Sequence, residues 1–397
     1  MQAAPAILRE RPRAMAFAGV FTSVLCCFVA IGAVLPILPR YVHGPLGAGD
    51  VAVGIVVGAF AITAVLARPI GGRLADGHGR RPIVVAGMLM SALGGAMYFL
   101  PLAVPGLVLA RFVLGVGDGW VFTAGATWIV DLAPEERRGQ AIGLFGLSIW
   151  GGLALGPVIG EALYSAGGYN AVWTLAAVGP LVGALVARRV PDPHEPVAHA
   201  AGAERGPLLP HAVRLPGVAL ALANIGYGAV AGFLVLHLRH RGIAHGAAAF
   251  TAFAASVVIT RLLLGSLPDR VGPRVTAMGA FIAETTGLVL IGSAHSWLVA
   301  GLGAVVMGIG FSLLFPSLAL IVMNRVGESG RGTAMGAFTA FFDVGVGLGA
   351  PLAGAVAAAA GYPAAFYVAA ACAAGGAALG LVTQAPRAHG EAPVTPA

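Results

Sequence analysis

Apolar residues run along this chain in blocks of roughly twenty, separated by short segments that hold most of the charge. A block of that length is what an α-helix needs to cross the hydrocarbon of a bilayer, at a rise of about 1.5 Å per residue. The pattern predicts spans near residues 16–42, 51–72, 83–103, 106–131, 139–163, 170–189, 215–238, 247–268, 275–294, 297–323, 333–358 and 363–383. Gly and Pro recur inside several of them, as membrane helices tolerate where neighbours re-satisfy the backbone. The first block is too long for a signal-peptide core and lacks a cleavage pattern, so it is expected to be retained.

Composition strengthens this reading. Hydrophobic residues make up 58% of the 397 and charged residues only 10%, against about 25% charged in ordinary soluble domains. A soluble globule could not hide that much apolar surface. A disordered chain, a disulfide scaffold and a routine cytosolic enzyme are excluded. The expected fold is an all-α membrane protein with twelve transmembrane helices in two pseudo-symmetric six-helix bundles. The 60 glycines fit close helix packing.

The charge pattern tests the number of spans. All 23 basic residues are Arg, giving a net charge of +7. With the N-terminus inside, the cytoplasmic segments hold Arg9, Arg11, Arg13, Arg73, Arg80, Arg81, Arg137, Arg138, Arg188, Arg189, Arg205, Arg214, Arg270, Arg274, Arg325, Arg331 and Arg387. The other side holds Arg40, Arg239 and Arg241, while Arg68, Arg111 and Arg261 fall within spans. That asymmetry is what the positive-inside rule expects of an even number of spans with both ends in the cytoplasm. A multi-pass protein of the cell inner membrane follows. Small scattered groups of Arg do not form the basic face that nucleic acid requires.

Residues 190–214 carry Pro191, Pro193, Pro196, Gly202, Gly206, Pro207 and Pro210 and read as a cytoplasmic linker. It joins an N-terminal bundle, 1–189, to a C-terminal bundle, 215–397, whose last dozen residues read as a short disordered tail. Cys26, Cys27 and Cys372 lie in apolar runs without metal-ligand spacing, and the His residues form no HExxH pattern. No metal site is expected.

Shifting the chain by 193 residues superposes its halves. Arg68 falls on Arg261, Gly72 on Gly265, Leu74 on Leu267, Asp76 on Asp269, Gly79 on Gly272 and Arg81 on Arg274. The same offset joins Gly115 to Gly308, Gly117 to Gly310, Glu135 to Glu328, Arg138 to Arg331, Phe145 to Phe338, Gly156 to Gly349 and Tyr169 to Tyr362. Parallel repeats of six helices are the architecture of an alternating-access transporter.

Several segments resemble the major facilitator superfamily, over nearly the whole chain. Gly72-Arg-Leu-Ala-Asp76-Gly-His-Gly79-Arg80-Arg81 is similar to the family's signature loop between the second and third helices, and Gly265-Ser-Leu-Pro-Asp269-Arg270-Val-Gly272-Pro-Arg274 is its echo. Arg111 with Gly115 and Gly117 resembles the fourth-helix motif, with Leu114 where many members carry Gln. Gly152, Gly156-Pro157 and Gly160 resemble the fifth-helix motif of antiporters, and Pro36-Ile-Leu-Pro39 the first-helix motif of drug–proton antiporters. The second half, around Leu267-Pro268-Asp269-Arg270 and Phe315-Pro316-Ser317, is most similar to bacterial arabinose-type efflux permeases.

The resemblance implies roles. Asp76 would cap the N-terminus of the eleventh helix, and Arg80 and Arg81 would pair with Asp131, although Gly77 replaces the usual basic residue of that relay. Alternatively these arginines are ordinary topology anchors. The fifth-helix Gly-Pro element would bend the helix and supply a smooth packing surface, as in exporters, or be a kink with no bearing on transport direction. Spans one, four, seven and ten would line the cavity.

Ionisable residues inside spans are site candidates because they are costly in hydrocarbon. Asp118 is the first candidate for proton or substrate, with Arg111 seven residues earlier, about 10 Å away along the helix axis and too far for a direct pair. Asp343, opposite Trp150 in the repeat, is expected to bridge to Arg68 between the second and eleventh helices. Glu284 is expected to be neutralised by Arg261, and Glu161 to reach water. Asn224, Tyr227, Trp120 and Trp150 would shape a pocket or simply pack.

The expected function is export of a small molecule by proton antiport, with the proton gradient as driving force because no GxxxxGK[ST] loop or cofactor motif is present. The protein would be a monomer. A proton-coupled importer or facilitator of a sugar or organic acid is the alternative. A membrane-embedded enzyme or sensor ranks last, for want of a nucleophile–base constellation.

Overall fold

The computed structural model describes residues 6–133, 138–192, 209–326 and 331–382, with side chains left out at 6–14, 138–140, 142, 144, 331–333, 381 and 382. Most of the expected linker, the expected tail, and the aligned pair Glu135 and Glu328 lie outside the described residues. All regular structure described is helical: α1 (Ala6–Val34), α2 (Leu38–His43), α3 (Asp50–His78), α4 (Arg80–Met97), α5 (Ala103–Leu132), α6 (Arg138–Ala187), α7 (His211–His240), α8 (Gly246–Leu264), α9 (Leu267–Arg270), α10 (Pro273–Gly292), α11 (Trp297–Met323), α12 (Arg331–Ala360) and α13 (Tyr362–Val382).

Among the described residues, ten helices are long and apolar enough to cross a membrane. One of these, α6, is two helices meeting at Gly167 and Gly168, whose φ angles are −146° and 64°. The 18-residue helix α4, opened by Arg80 and Arg81, is a further hydrophobic helix. This is consistent with twelve crossings. Helices outrun their hydropathy: α3 continues six residues past the expected end at 72, because backbone hydrogen bonding does not stop where side chains become polar.

The repeat is visible in the backbone. Gly79, between α3 and α4, has φ 96°, and its mate Gly272, before α10, has φ 99°. Gly168 and its mate Gly361 have φ 64° and 83°. Only Gly takes such angles without steric cost, so these positions fix the same two turns twice.

Packing follows the same symmetry. In the first bundle α1 packs on α6, α3 and α4 pack on α5, and α4 packs on α6. In the second, α7 packs on α12, α8 and α10 pack on α11, and α10 packs on α13. The bundles meet through α3 against α12 and α6 against α8. At one end this seam is tight. A Cβ on Gly58 would come within 2.8 Å of the Pro351 ring, and one on Gly54 would strike the Ala350 carbonyl. The Tyr362 hydroxyl donates to Asp50 across the same end, at 2.9 Å.

Candidate functional site

Two cavities lie on the seam and share Arg68, Phe122, Ile149, Trp150 and Phe342. The inner one, about 100 Å³, is also lined by Arg111, Asp118, Tyr227 and Asp343. The other, about 450 Å³, runs past Phe311 and Arg261 to Asp131, which is exposed at the end opposite the Gly54–Ala350 contact.

Arg68 organises the inner site. From α3 its Nε donates to Oδ2 of Asp343 on α12 at 2.6 Å, and its Nη2 to Oδ1 at 2.9 Å. The same guanidinium stands 3.6 Å from Asp118 on α5 and 4.1 Å over the Phe122 ring. Its Nη1 is buried and has no hydrogen-bond partner among the described residues. Asp118 and Asp343 are 7% and 3% exposed, so one cation serves two buried carboxylates. Such an arrangement can hold both in place only while charge and protons are balanced.

Arg111 does not pair with Asp118. It donates to the Val56 and Val57 carbonyls of α3, at 3.2 and 2.9 Å, and lies 4.6 Å over the Phe60 ring. Tyr227 and Trp150 face the cavity, their rings 6.1 Å apart, and Phe311 closes the cluster at 5.0 Å from Trp150. The aromatic residues Phe122, Phe311 and Phe342 had no individual signal in the sequence, although the 193-residue offset carries Asp118 onto Phe311. Trp120 and Asn224 line neither central cavity. Trp120 packs on Gly71 and Gly87, and Asn224 donates to the Leu220 carbonyl at 2.8 Å beside Gly345.

At the signature loop, Arg80 is the hub. Its Nε donates to Asp131 at 3.0 Å and its Nη1 to Asp76, one turn earlier. Asp76 meets Arg80, and residues 327–330, before the eleventh span that Asp76 was expected to cap, lie outside the described residues. The expected pairing of Arg81 with Asp131 is corrected. Arg81, one position further round the helix, reaches away from Asp131. Its backbone N–H donates to Asp192 at 2.9 Å and its Nη1 to the Val190 carbonyl at 3.5 Å. Gly72 has only ordinary contact with Thr123 and is not the point of close approach. In the echo loop, Asp269 and Arg270 are exposed on α9.

The fifth-helix glycines form a packing surface against α1. A Cβ on Gly152 would come 2.7 Å from Phe28, one on Gly156 2.5 Å from Gly32, and one on Gly160 would strike the Ala33 carbonyl. The helix runs through Pro157, since its non-helical residues are Gly167 and Gly168. Glu161 is held by Arg40 at 2.7 Å, a partner the sequence reading had not assigned.

The expected Glu284–Arg261 pair is not formed. Glu284 is fully buried against Gly226 and Gly310, and neither carboxyl oxygen has a described partner. Arg261 turns instead to the seam, where its Nη2 donates to the Ser312 carbonyl at 3.0 Å. Equal depth in the sequence did not mean equal azimuth on the helices.

Comparison with known proteins agrees with this geometry. The model of the Major Facilitator Superfamily matches residues 20–330 and 217–397. An uncharacterized MFS-type transporter of Salmonella typhimurium is 33% identical over 366 residues, covering 89% of this chain and 92% of that one. The MFS-type transporter YhhS of Escherichia coli is 33% identical over 356 residues, covering 86% of each. The fold is similar to that of a bacterial homolog of the human lysosomal transporter Spinster in an inward-facing, unoccupied conformation, with TM-score 0.78 and 15% identity, covering 94% of this chain and 96% of that one.

Proposed function

We propose, from the premise that this chain belongs to the Major Facilitator Superfamily of membrane transporters, that it exports a small molecule in exchange for protons by alternating access. The observation that carries the reading is the sharing of Arg68 between Asp343, across the seam, and Asp118, within its own bundle. A proton arriving on Asp343 would remove one charge of the inter-bundle bridge. Arg68 would then turn to Asp118, a partner 3.6 Å away. The bridge between bundles becomes one inside a bundle, and α3 is freed to rock against α12. For exchange, the proton reaches Asp343 from the outside, and its release to the cytoplasm restores the bridge.

The seal at the Gly54–Ala350 end and the opening at the Asp131 end support an inward-open conformation, with the signature loop and both termini in the cytoplasm and the protein in the inner membrane. Arg80, tied to Asp76 and Asp131, would hold α3, α4 and α5 as one rigid unit during that motion. Gly152, Gly156 and Gly160 would keep α6 locked on α1.

The test is transport from cells lacking their own exporters, under imposed pH gradients. Acid outside should drive loss of the substrate from the cell. Uptake driven by the same gradient would make the protein an importer, and indifference to the gradient would make it a facilitator.

A further inference from the structure

The internal repeat leaves an asymmetry that proton coupling does not use. Arg68 and Arg261 are equivalent at the 193-residue offset. The acids that meet Arg68 are Asp118 and Asp343. The offset carries Asp118 onto Phe311 and sets Asp343 opposite Trp150. Around Arg261, therefore, both carboxylates are replaced by aromatic rings. Those rings meet at 5.0 Å and line the 450 Å³ cavity together with Arg261 and Phe315.

Among the described residues Arg261 has no acidic partner. One donor reaches the Ser312 carbonyl, and Nε is buried without an acceptor. A Cβ built on Gly146, across the seam, would lie 3.9 Å from Nη1, so the glycine leaves room in front of the guanidinium. The charge balance points the same way. The two cavities are lined by Arg68, Arg111 and Arg261 against the buried acids Asp118 and Asp343. Asp131 is engaged by Arg80, and Glu284 lines neither cavity. One positive charge is left over, in a wall where an unpaired ion is costly.

We propose that this cavity binds an aromatic organic anion, its carboxylate paired with the forked guanidinium of Arg261 and its ring against Trp150 and Phe311. The assignment rests on reading the cavity as the transport path and names the substrate class for it. A volume of about 450 Å³ suits a ligand of one or two fused rings. A cation would meet an uncompensated guanidinium, and a neutral ligand would leave it unpaired.

The test is equilibrium binding to the purified protein in lipid nanodiscs, without any gradient. The probes are 2-naphthoate, 2-naphthylmethanol and 2-naphthylmethylammonium. The carboxylate should bind about tenfold or more tightly than the alcohol, and the ammonium weakest. Arg261→Ala should erase the preference for the anion while retaining affinity for the alcohol, and Arg261→Lys should keep part of it. Thermal unfolding of both variants reports whether they fold. If Arg261→Ala unfolds, Arg261→Lys decides, through a weakened anion preference. Equal binding of carboxylate and alcohol, no detectable binding of any probe, or an unchanged preference in the folded variants overturns the proposal. Selective anion binding without uphill transport would remove proton coupling and leave this site standing. Gradient-driven transport of cations with no anion preference would do the reverse.

Discussion

Arg68 on α3 and Asp343 on α12 are joined by paired hydrogen bonds of 2.6 and 2.9 Å across the seam between the bundles. Removing one partner of a buried ion pair commonly costs about 3–5 kcal/mol, because the other charge is left without compensation. Arg68→Asp and Asp343→Arg should therefore each abolish transport. The double exchange should recover part of it, since the pair is restored in reverse. Transport rates and unfolding temperatures of the four proteins form the cycle. Equal, additive losses would argue against a functional contact.

Asp118 stands within reach of the same guanidinium and, among the described residues, has no second cation in bonding contact. Asp118→Asn keeps the shape and removes the ability to ionise. It should leave folding and gradient-free exchange of substrate in place and reduce uphill transport at least tenfold. Wild-type coupling in this variant, measured as accumulation against a pH gradient, would discard the role.

Gly58 meets Pro351 at the tight end of the seam. Gly58→Leu should prevent that closure and favour the conformation open on the Asp50 side. With Cys26, Cys27 and Cys372 replaced, a single cysteine at Val57 should react several times faster with a membrane-impermeant maleimide added from that side. An unchanged labelling rate would mean that the seam does not gate.

Glu284 is buried with no described cation or hydrogen-bond donor near its carboxyl. Among the described residues nothing compensates an ionised group there. Glu284→Gln should therefore unfold within a few degrees of the parent protein and transport at a similar rate. A large loss of coupling would instead bring Glu284 into the proton path.

The sequence carried the membrane spans because helix length and the distribution of Arg both obey the bilayer. The Arg68–Asp343 contact was also legible, since the resemblance set the second and eleventh helices face to face at matching depth. Glu284 and Arg261 also sit at matching depth, yet point to different neighbours. Hydropathy gives depth along a helix, and azimuth is set by packing. The same limit applies at Trp120 and Asn224, which pack against glycines on neighbouring helices. Arg80 and Arg81 are adjacent in sequence and about 100° apart around a helix. Only one of them could reach Asp131, and the spacing alone did not say which.

A proton on Asp343 should loosen the seam between α3 and α12. Spin labels at Val51 and Leu352, both exposed at the sealed end, report that seam directly by their separation. The distance distribution should lengthen and broaden as pH falls, and Asp343→Asn should show the broadened form at every pH. A distribution that is the same across pH and unchanged by Asp343→Asn would rule out Asp343 as the proton-sensitive latch of this seam.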